Sequence, residues 1–149
     1  MGKINVQEED FDLSHELDMV RDGNSDVGAI VSFVGTVRDT KDNSLIQLTL
    51  EHYPQMTEKS LAAIADQATK RWRLKDVTII HRVGSLAVNE QIVLVITCSK
   101  HRQSAFAACE FIMDYLKTSA PFWKKEQTTD AENWVEAKDS DHQKLSKWD

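Results

Sequence analysis

Residues 77–98 read Val77-Thr-Ile-Ile-His-Arg-Val-Gly-Ser-Leu-Ala-Val-Asn-Glu-Gln-Ile-Val-Leu-Val-Ile-Thr-Cys98, apolar β-branched runs separated by two turn-like dipeptides. β-Branched residues favour strands, whereas Gly-Ser and Asn-Glu pairs favour turns. The pattern therefore predicts strands at 77–83, 86–88 and 91–98. Residues 102–118 follow, and their apolar side chains recur at helical spacing, which predicts a long helix with a broad apolar face.

The flanking sequence predicts further strands and helices on both sides of this stretch. Strand patterns occur at 4–6, 27–37, 45–53 and 134–137, and helical patterns at 13–20 and 57–72. Gly28 and Gly35 predict a bend or bulge in their strand, and Thr57 is the expected N-cap of its helix. Because strands and helices do not alternate regularly, we expect an α+β fold with a mixed or antiparallel sheet and packed helices.

Composition limits the class of protein. The chain has 149 residues, of which 41% are hydrophobic and 28% charged, as expected for a single domain over residues 1–149. A pI near 5.3 argues against a duplex nucleic-acid binder. No apolar run is long enough to cross a membrane and no signal peptide begins the chain, so we expect a cytoplasmic protein. Cys98 and Cys109 are expected to be core thiols.

A basic segment stands out against this acidic background. Residues 100–125 carry a net charge of +3, whereas the rest of the chain carries −9. A local excess of cations indicates a site for a small anion or a carboxylate. The same lysines could instead solvate a helix end and the loop that follows, and composition does not decide between these interpretations.

The length of the predicted helix separates two basic clusters within this segment. A rise of about 1.5 Å per residue places Lys117 roughly 22 Å from Arg102. Lys100, His101 and Arg102 lie at the positive end of the helix, where cations are disfavoured unless an anion joins them. If both clusters serve one site, a second copy of the chain must supply one of them, which predicts a homodimer.

Lys117 and Lys124 flank a short segment, Thr-Ser-Ala-Pro-Phe-Trp, which we expect to be a rigid loop. A lysine held in a dry environment has a lowered pKa and can exchange protons or act as a nucleophile, whereas an exposed lysine is a fixed charge. Spacing does not decide which applies. The triplet Glu51-His52-Tyr53 could supply an acid or base, or could reflect alternation at a strand end.

Four segments of the chain resemble one protein family: Gly28-Ala-Ile-Val-Ser-Phe-Val-Gly-Thr-Val-Arg38, Leu50-Glu-His-Tyr-Pro-Gln-Met-Thr57, Ile80-His-Arg-Val-Gly84 and Phe111-Ile-Met-Asp-Tyr-Leu-Lys-Thr-Ser-Ala-Pro-Phe-Trp-Lys124. They resemble the large, catalytic subunits of molybdopterin synthases. The resemblance covers nearly the full chain, and its most specific part is the run from Leu116 to Lys124.

The resemblance implies an α/β-hammerhead type of fold and a sulfurtransferase of molybdenum cofactor biosynthesis. It also implies a homodimer at the centre of a heterotetramer, with two small ubiquitin-like subunits outside. Each small subunit would insert a C-terminal Gly-Gly thiocarboxylate into a pocket, and its sulfur would pass to cyclic pyranopterin monophosphate. No metal or organic cofactor would be required.

The resemblance also assigns roles to individual residues. Lys117 would lie beside the reactive carbonyl of the tail, with Lys124 as its basic companion. The expected binding groups for the anionic pterin are Arg38, His101 and Arg102. Lys138 stands where relatives often carry Arg, so it keeps the charge but loses the bidentate fork. A module that binds a ubiquitin-like partner without catalysis, and a phosphate-binding hydrolase, are the competing classes of function.

Overall fold

The computed structural model describes residues 2–129, 131–135 and 139–148. Within these ranges there are four helices and eight strands. In chain order they are β1 (Lys3–Gln7), α1 (Leu13–Arg21), β2 (Ala29–Thr36), β3 (Leu45–His52), α2 (Met56–Trp72), β4 (Asp76–Arg82), β5 (Gly84–Leu86), β6 (Gln91–Ser99), α3 (Arg102–Thr118), β7 (Phe122–Thr128), β8 (Glu132–Val135) and α4 (Asp139–Ser146).

The strands form two four-stranded sheets. The first has the order β1-β4-β6-β2, in which β1 runs parallel to β4 and the other pairs are antiparallel. The second has the order β5-β3-β7-β8 and is antiparallel throughout. A mixed sheet, an antiparallel sheet and packed helices confirm the predicted α+β class.

The two central strands of the mixed sheet, β4 and β6, are almost fully buried, as their continuous apolar sequences require. Helices α2 and α3 pack together and contribute their apolar stripes to the main core. Leu61 and Ile112 are fully buried at 0% exposure, as is Val95 on β6. The core therefore fixes α3 against the sheet, and with it the positions of both α3 ends.

Gly35 in β2 and Gly28 just before it both shape this edge of the sheet. The pairing of β2 with β6 changes register between Gly35 and Thr36, which is the expected irregularity. Gly28 approaches the strand end at Ser99 and Lys100 so closely that an added Cβ would lie 2.3 Å from the Lys100 carbonyl oxygen. Only glycine fits there without displacement of the backbone.

Several predicted boundaries were wrong. Helix α2 begins at Met56 with Gln55 as its N-cap. The backbone N–H of Gln55 donates to Glu58 Oε2 at 3.1 Å. Thr57 is not the cap, and its hydroxyl donates to the Pro121 carbonyl at 3.0 Å. The short strand lies at Gly84–Leu86 instead of 86–88. The predicted strand at 134–137 is observed as Glu132–Val135, and residues 136 and 137 lie outside the described ranges.

The end of the chain is more structured than its polar sequence indicates. Beyond α4, the Trp148 indole donates to Asp114 Oδ2 on α3 at 2.6 Å and packs edge-on against Trp72 and Phe111. Arg71 donates to the Trp148 carbonyl at 3.0 Å. These contacts attach the last turn of the chain to α2 and α3. None of the helices in the described ranges has the length and apolar character needed to span a membrane.

Candidate functional site

A cavity of about 270 Å³ opens at the C-terminal end of α3, where this helix meets β7 and the two strands β2 and β4. Its wall combines apolar side chains with polar and charged groups. The lining includes Thr36, His81, Lys117, Phe122, Lys124 and Asp141.

Local structure brings Lys117 and Lys124 to this cavity. Lys117 lies in the last turn of α3, and the helix ends where the Ser119 amide donates to the Tyr115 carbonyl at 2.8 Å. The chain then reverses and enters β7, in which Lys124 pairs with Leu50 of β3. The predicted loop is shorter than expected, because its last two residues, Phe122 and Trp123, already belong to β7, and Lys124 follows them on this strand.

The environment of Lys124 changes its acid-base behaviour. Burial, together with the positive charge of Lys117, lowers the pKa of the Lys124 ammonium to about 8, and the carboxylates of Asp141 and Glu126 oppose this shift. A pKa near 8 leaves the amine able to gain or lose a proton close to neutral pH. The sequence left open whether this lysine is dry or exposed, and in the structure it is half-buried.

Lys125, the next residue, provides a contrast. Successive side chains of a strand point to opposite faces, so Lys125 lies on the other side of β7. It forms an ion pair with Glu132 at 2.9 Å and lies 5.6 Å from the Trp134 ring centroid. Its contacts are those of a surface lysine, which makes it a matched control for Lys124.

His81 is a cavity residue that the sequence analysis missed as a candidate. It lies on β4, is only 5% exposed, and stacks on Phe122 with ring centroids 3.8 Å apart. A histidine within the apolar run Ile79-Ile80-His81 was the available signal, but a buried strand residue is indistinguishable from a cavity residue until the facing elements are known. Its neighbour Arg82 donates instead to the carbonyls of Glu8 and Gln91.

The second basic cluster lies at the opposite end of α3. Lys100, His101 and Arg102 are exposed around a shallow depression whose floor includes Gly28. The first turn of α3 contains no acidic residue, and His101 makes no side-chain capping bond. The helix keeps this cluster away from the cavity of the same chain, as predicted from its length.

The remaining sequence candidates have different surroundings. Arg38 is exposed and follows Thr36, a cavity residue at the end of β2, by two positions. Lys138 lies outside the described residues. In the Glu51-His52-Tyr53 triplet, His52 is half-buried with Nε2 3.9 Å from Glu58 Oε1, and its two neighbours are exposed. This pattern is strand alternation.

Neither the two cysteines nor the potential metal-binding side chains of the described residues form a second candidate site. Cys98 and Cys109 are buried core residues, as predicted, and burial raises their pKa values to about 11 and about 12 respectively. Over the described part of the chain, no group of three or more His, Cys, Asp or Glu residues is arranged to hold a metal ion. Among the described residues, the cavity and the α3 N-terminal cluster are therefore the two candidate sites.

Comparisons with known proteins agree over nearly the whole chain. The MoaE protein family matches residues 6–119. A curated relative from Ralstonia nicotianae, the molybdopterin synthase catalytic subunit, is 56% identical over 149 residues, covering 99% of this chain and 85% of the relative. The solved molybdopterin biosynthesis MoaE protein from Burkholderia ambifaria has a TM-score of 0.85 and 52% identity, covering 99% of this chain and 98% of that one. The crystal structure of molybdopterin synthase from Staphylococcus aureus has a TM-score of 0.82 and 31% identity, covering 91% and 98%.

Proposed function

The chain belongs to the MoaE protein family, and we propose that it acts as the catalytic subunit of a molybdopterin synthase. It transfers sulfur from the C-terminal thiocarboxylate of a small ubiquitin-like subunit to cyclic pyranopterin monophosphate, which forms the dithiolene of molybdopterin. The observation that carries the proposal for the site is that Lys117 and Lys124 line one cavity.

The two lysines suit an anionic acyl tail. A thiocarboxylate is negatively charged, so two ammonium groups in a partly dry cavity bind it and orient its carbonyl. Lys117 polarises the acyl carbonyl or relays a proton as sulfur leaves, and Lys124 provides the second positive charge. The sulfur arrives already activated on the partner, so the proposed reaction requires no resident metal or organic cofactor.

The cluster at the other end of α3 suits the phosphate of the pterin. In the proposal, His101 and Arg102 of one copy approach the cavity of a second copy, and Arg38 adds a further cation. Exposed cations at a helix N-terminus support this role, because backbone amides and guanidinium groups both favour anions. The site is then a composite of two protomers, and the small subunits complete a heterotetramer. Within this proposal Lys138 is a further substrate ligand.

A cytoplasmic location is also part of the proposal, since both proposed substrates are intracellular metabolites or carriers. Fractionation of cells that express the tagged chain tests it directly. Recovery with membranes or outside the cell contradicts the location without affecting the chemistry.

The decisive experiment mixes the purified chain with thiocarboxylated small subunit and cyclic pyranopterin monophosphate, and measures dithiolene pterin. Lys117→Ala is expected to lower turnover by about 100-fold, the usual cost of losing a charge-stabilising donor, while the small subunit still binds. Lys125→Ala is the matched control and should retain turnover. A stable complex that yields no product would instead identify a binding module that does not catalyse transfer.

A further inference from the structure

The imidazole of His81 has one nitrogen fixed by the protein. Its Nδ1 lies 2.8 Å from the Arg82 carbonyl oxygen, which can only accept a hydrogen bond. Nδ1 therefore carries the proton, and in the neutral ring Nε2 is a bare acceptor. Stacking on Phe122 at 3.8 Å, with an interplanar angle of 18°, holds the ring plane in place.

Nε2 has no hydrogen-bond partner among the described residues, and His81, which is only 5% exposed, lines the cavity. The lysines that share this cavity offer donors only. They can neutralise the anionic end of an acyl tail, but they cannot accept from its peptide N–H groups. A buried peptide N–H without an acceptor costs free energy, so a cavity for a peptide tail needs acceptors. The Asp141 carboxylate and the Thr36 and Thr118 hydroxyls on the same wall can also accept, but His81 is the acceptor that lies on a buried strand with its ring plane fixed.

We propose that His81 is a positioning residue whose Nε2 accepts a hydrogen bond from a backbone N–H of the entering acyl tail. The inference rests on the proposed function and deepens it, because it adds a requirement for a peptide donor close to the reactive carbonyl. The two lysines bind the charge of the tail, and His81 fixes its rotation and depth.

Burial, aided by the neighbouring positive charges, keeps His81 in the accepting form. Burial lowers the pKa of the imidazole to about 4, and the positive charges of Lys124 and Lys117 and the nearby His52 add to this effect, whereas the bond to Arg82 opposes it. Asp141, on α4, is the acidic side chain that lines the same cavity. The ring is thus neutral near pH 7 and presents a lone pair instead of a third cation.

A double-mutant cycle tests the proposal. One change is His81→Phe, which preserves the ring and its stack on Phe122 but removes Nε2. The other replaces each of the last two tail glycines in turn by glycolic acid, so that an ester oxygen takes the place of the peptide N–H. Thiocarboxylated tails of both kinds are attached to the small subunit, and kcat/KM for sulfur transfer is measured for all combinations.

In the native protein, one ester position is expected to lower kcat/KM by about 3- to 10-fold, the usual range for one hydrogen bond. In His81→Phe the same ester should cost less than about twofold, because the acceptor is already absent. Equal ester penalties in both proteins would overturn the proposal. If the native protein fails to transfer sulfur from the unmodified tail, the proposed function fails instead, so the two failures are distinguishable.

A second measurement uses the native protein and does not depend on the folding of a variant. The ¹⁵N NMR signals of His81 in the native protein report the tautomer and the bonding of Nε2. Binding of an unreactive carboxylate-ended small subunit is expected to shift the Nε2 signal in the direction of an accepted hydrogen bond, and the glycolate tail should reduce this shift. An Nε2 signal that ignores the tail, or that is protonated in the free protein, would overturn the proposal.

Discussion

Lys117 and Lys124 are separated by six residues in the chain, and both line the same cavity because α3 ends and β7 begins between them. The positive charge of Lys117 contributes to the lowered pKa of Lys124. Two like charges are kept together at a cost in stability, which is common where a site is built to receive an anion.

The first prediction concerns the pH dependence of sulfur transfer. The Lys124 ammonium loses its proton as the pH rises through about 8, so the cavity then loses one of its two positive charges. We expect kcat/KM, which reports the free protein, to decline above about pH 8. A decline that begins only near the ordinary lysine pKa of 10.5 would show that Lys124 charge is not required.

The same coupling predicts a change in the Lys117→Ala variant. Removal of the neighbouring positive charge should raise the pKa of Lys124 above about 8, because the ammonium form is no longer repelled. An NMR titration of ¹³C-labelled lysine side chains, with the Lys124 signal assigned through Lys124→Arg, measures this directly. An unchanged or lower value would contradict the coupling.

The second prediction concerns stability. Because the folded-state pKa of Lys124 lies below its unfolded value, the charged amine destabilises the fold below about pH 8, and this penalty is relieved as pH rises from about 8 to 10.5. Lys124→Met should therefore stabilise the protein by roughly 1 kcal/mol at pH 7, with a smaller gain at pH 10.

Urea denaturation of Lys124→Met at both pH values checks this expectation. Lys125→Met is the control, because Lys125 is paired with Glu132 on the outer face of β7. Its replacement should change stability little or lower it slightly. A loss of stability in Lys124→Met that matches the control would show that the buried amine carries no penalty.

The third prediction follows from the length of α3. Lys117 and Arg102 lie at opposite ends of this helix, about 22 Å apart along its axis. If two protomers build each site, a mixture of Lys117→Ala and Arg102→Ala subunits contains dimers with one intact site. Co-expression with different tags should then restore about a quarter of native activity, the statistical share of intact sites in random dimers.

Each variant alone is expected to lose about 10- to 100-fold in activity, because each removes a charged donor from the site. Arg102→Ala should leave binding of the small subunit nearly unchanged. Absence of any recovery in the mixed dimers would place both side chains in sites built from a single chain. Selective loss of small-subunit binding by Arg102→Ala would contradict the assignment of Arg102 to the pterin.

The fourth prediction concerns the backbone below the Arg102 cluster. In Gly28→Ala the new methyl carbon would lie 2.3 Å from the Lys100 carbonyl oxygen, so the ends of β2 and β6 must separate. We expect a loss of about 2–3 kcal/mol in unfolding free energy, as is typical for overpacking against backbone. Gly23→Ala has open space around its Cβ, with only a positive φ to strain it, and should cost about 1 kcal/mol.

Urea denaturation compares the two glycine variants. The Gly28 variant should also weaken pterin binding, because the displaced carbonyl belongs to the residue beside His101. Equal stability of the two variants would show that the close approach at Gly28 is relieved without cost.

Local patterns correctly predicted those helices and strands whose apolar, buried face extends over many residues. Helix α3 matches its predicted limits because its apolar face repeats over 17 residues, and the buried strand β6 differs from its prediction by one residue. Strand β7 was missed because Phe122-Trp-Lys-Lys-Glu-Gln-Thr128 has little apolar alternation. It is a strand because β3 and β8 pair with it. Strand β3 lies far away along the chain, and β8 has only a weak strand pattern of its own.

The sequence by itself determined the α+β class, the long helix, the two basic clusters at its ends and the family, because composition, periodicity and ordered motifs are properties of neighbouring residues. Tertiary structure alone decided that Lys117 and Lys124 share a cavity with His81, and that Lys124 is half-buried there with a lowered pKa while Lys125 is paired at the surface. Burial and charge proximity set these properties, and both depend on which distant elements pack together.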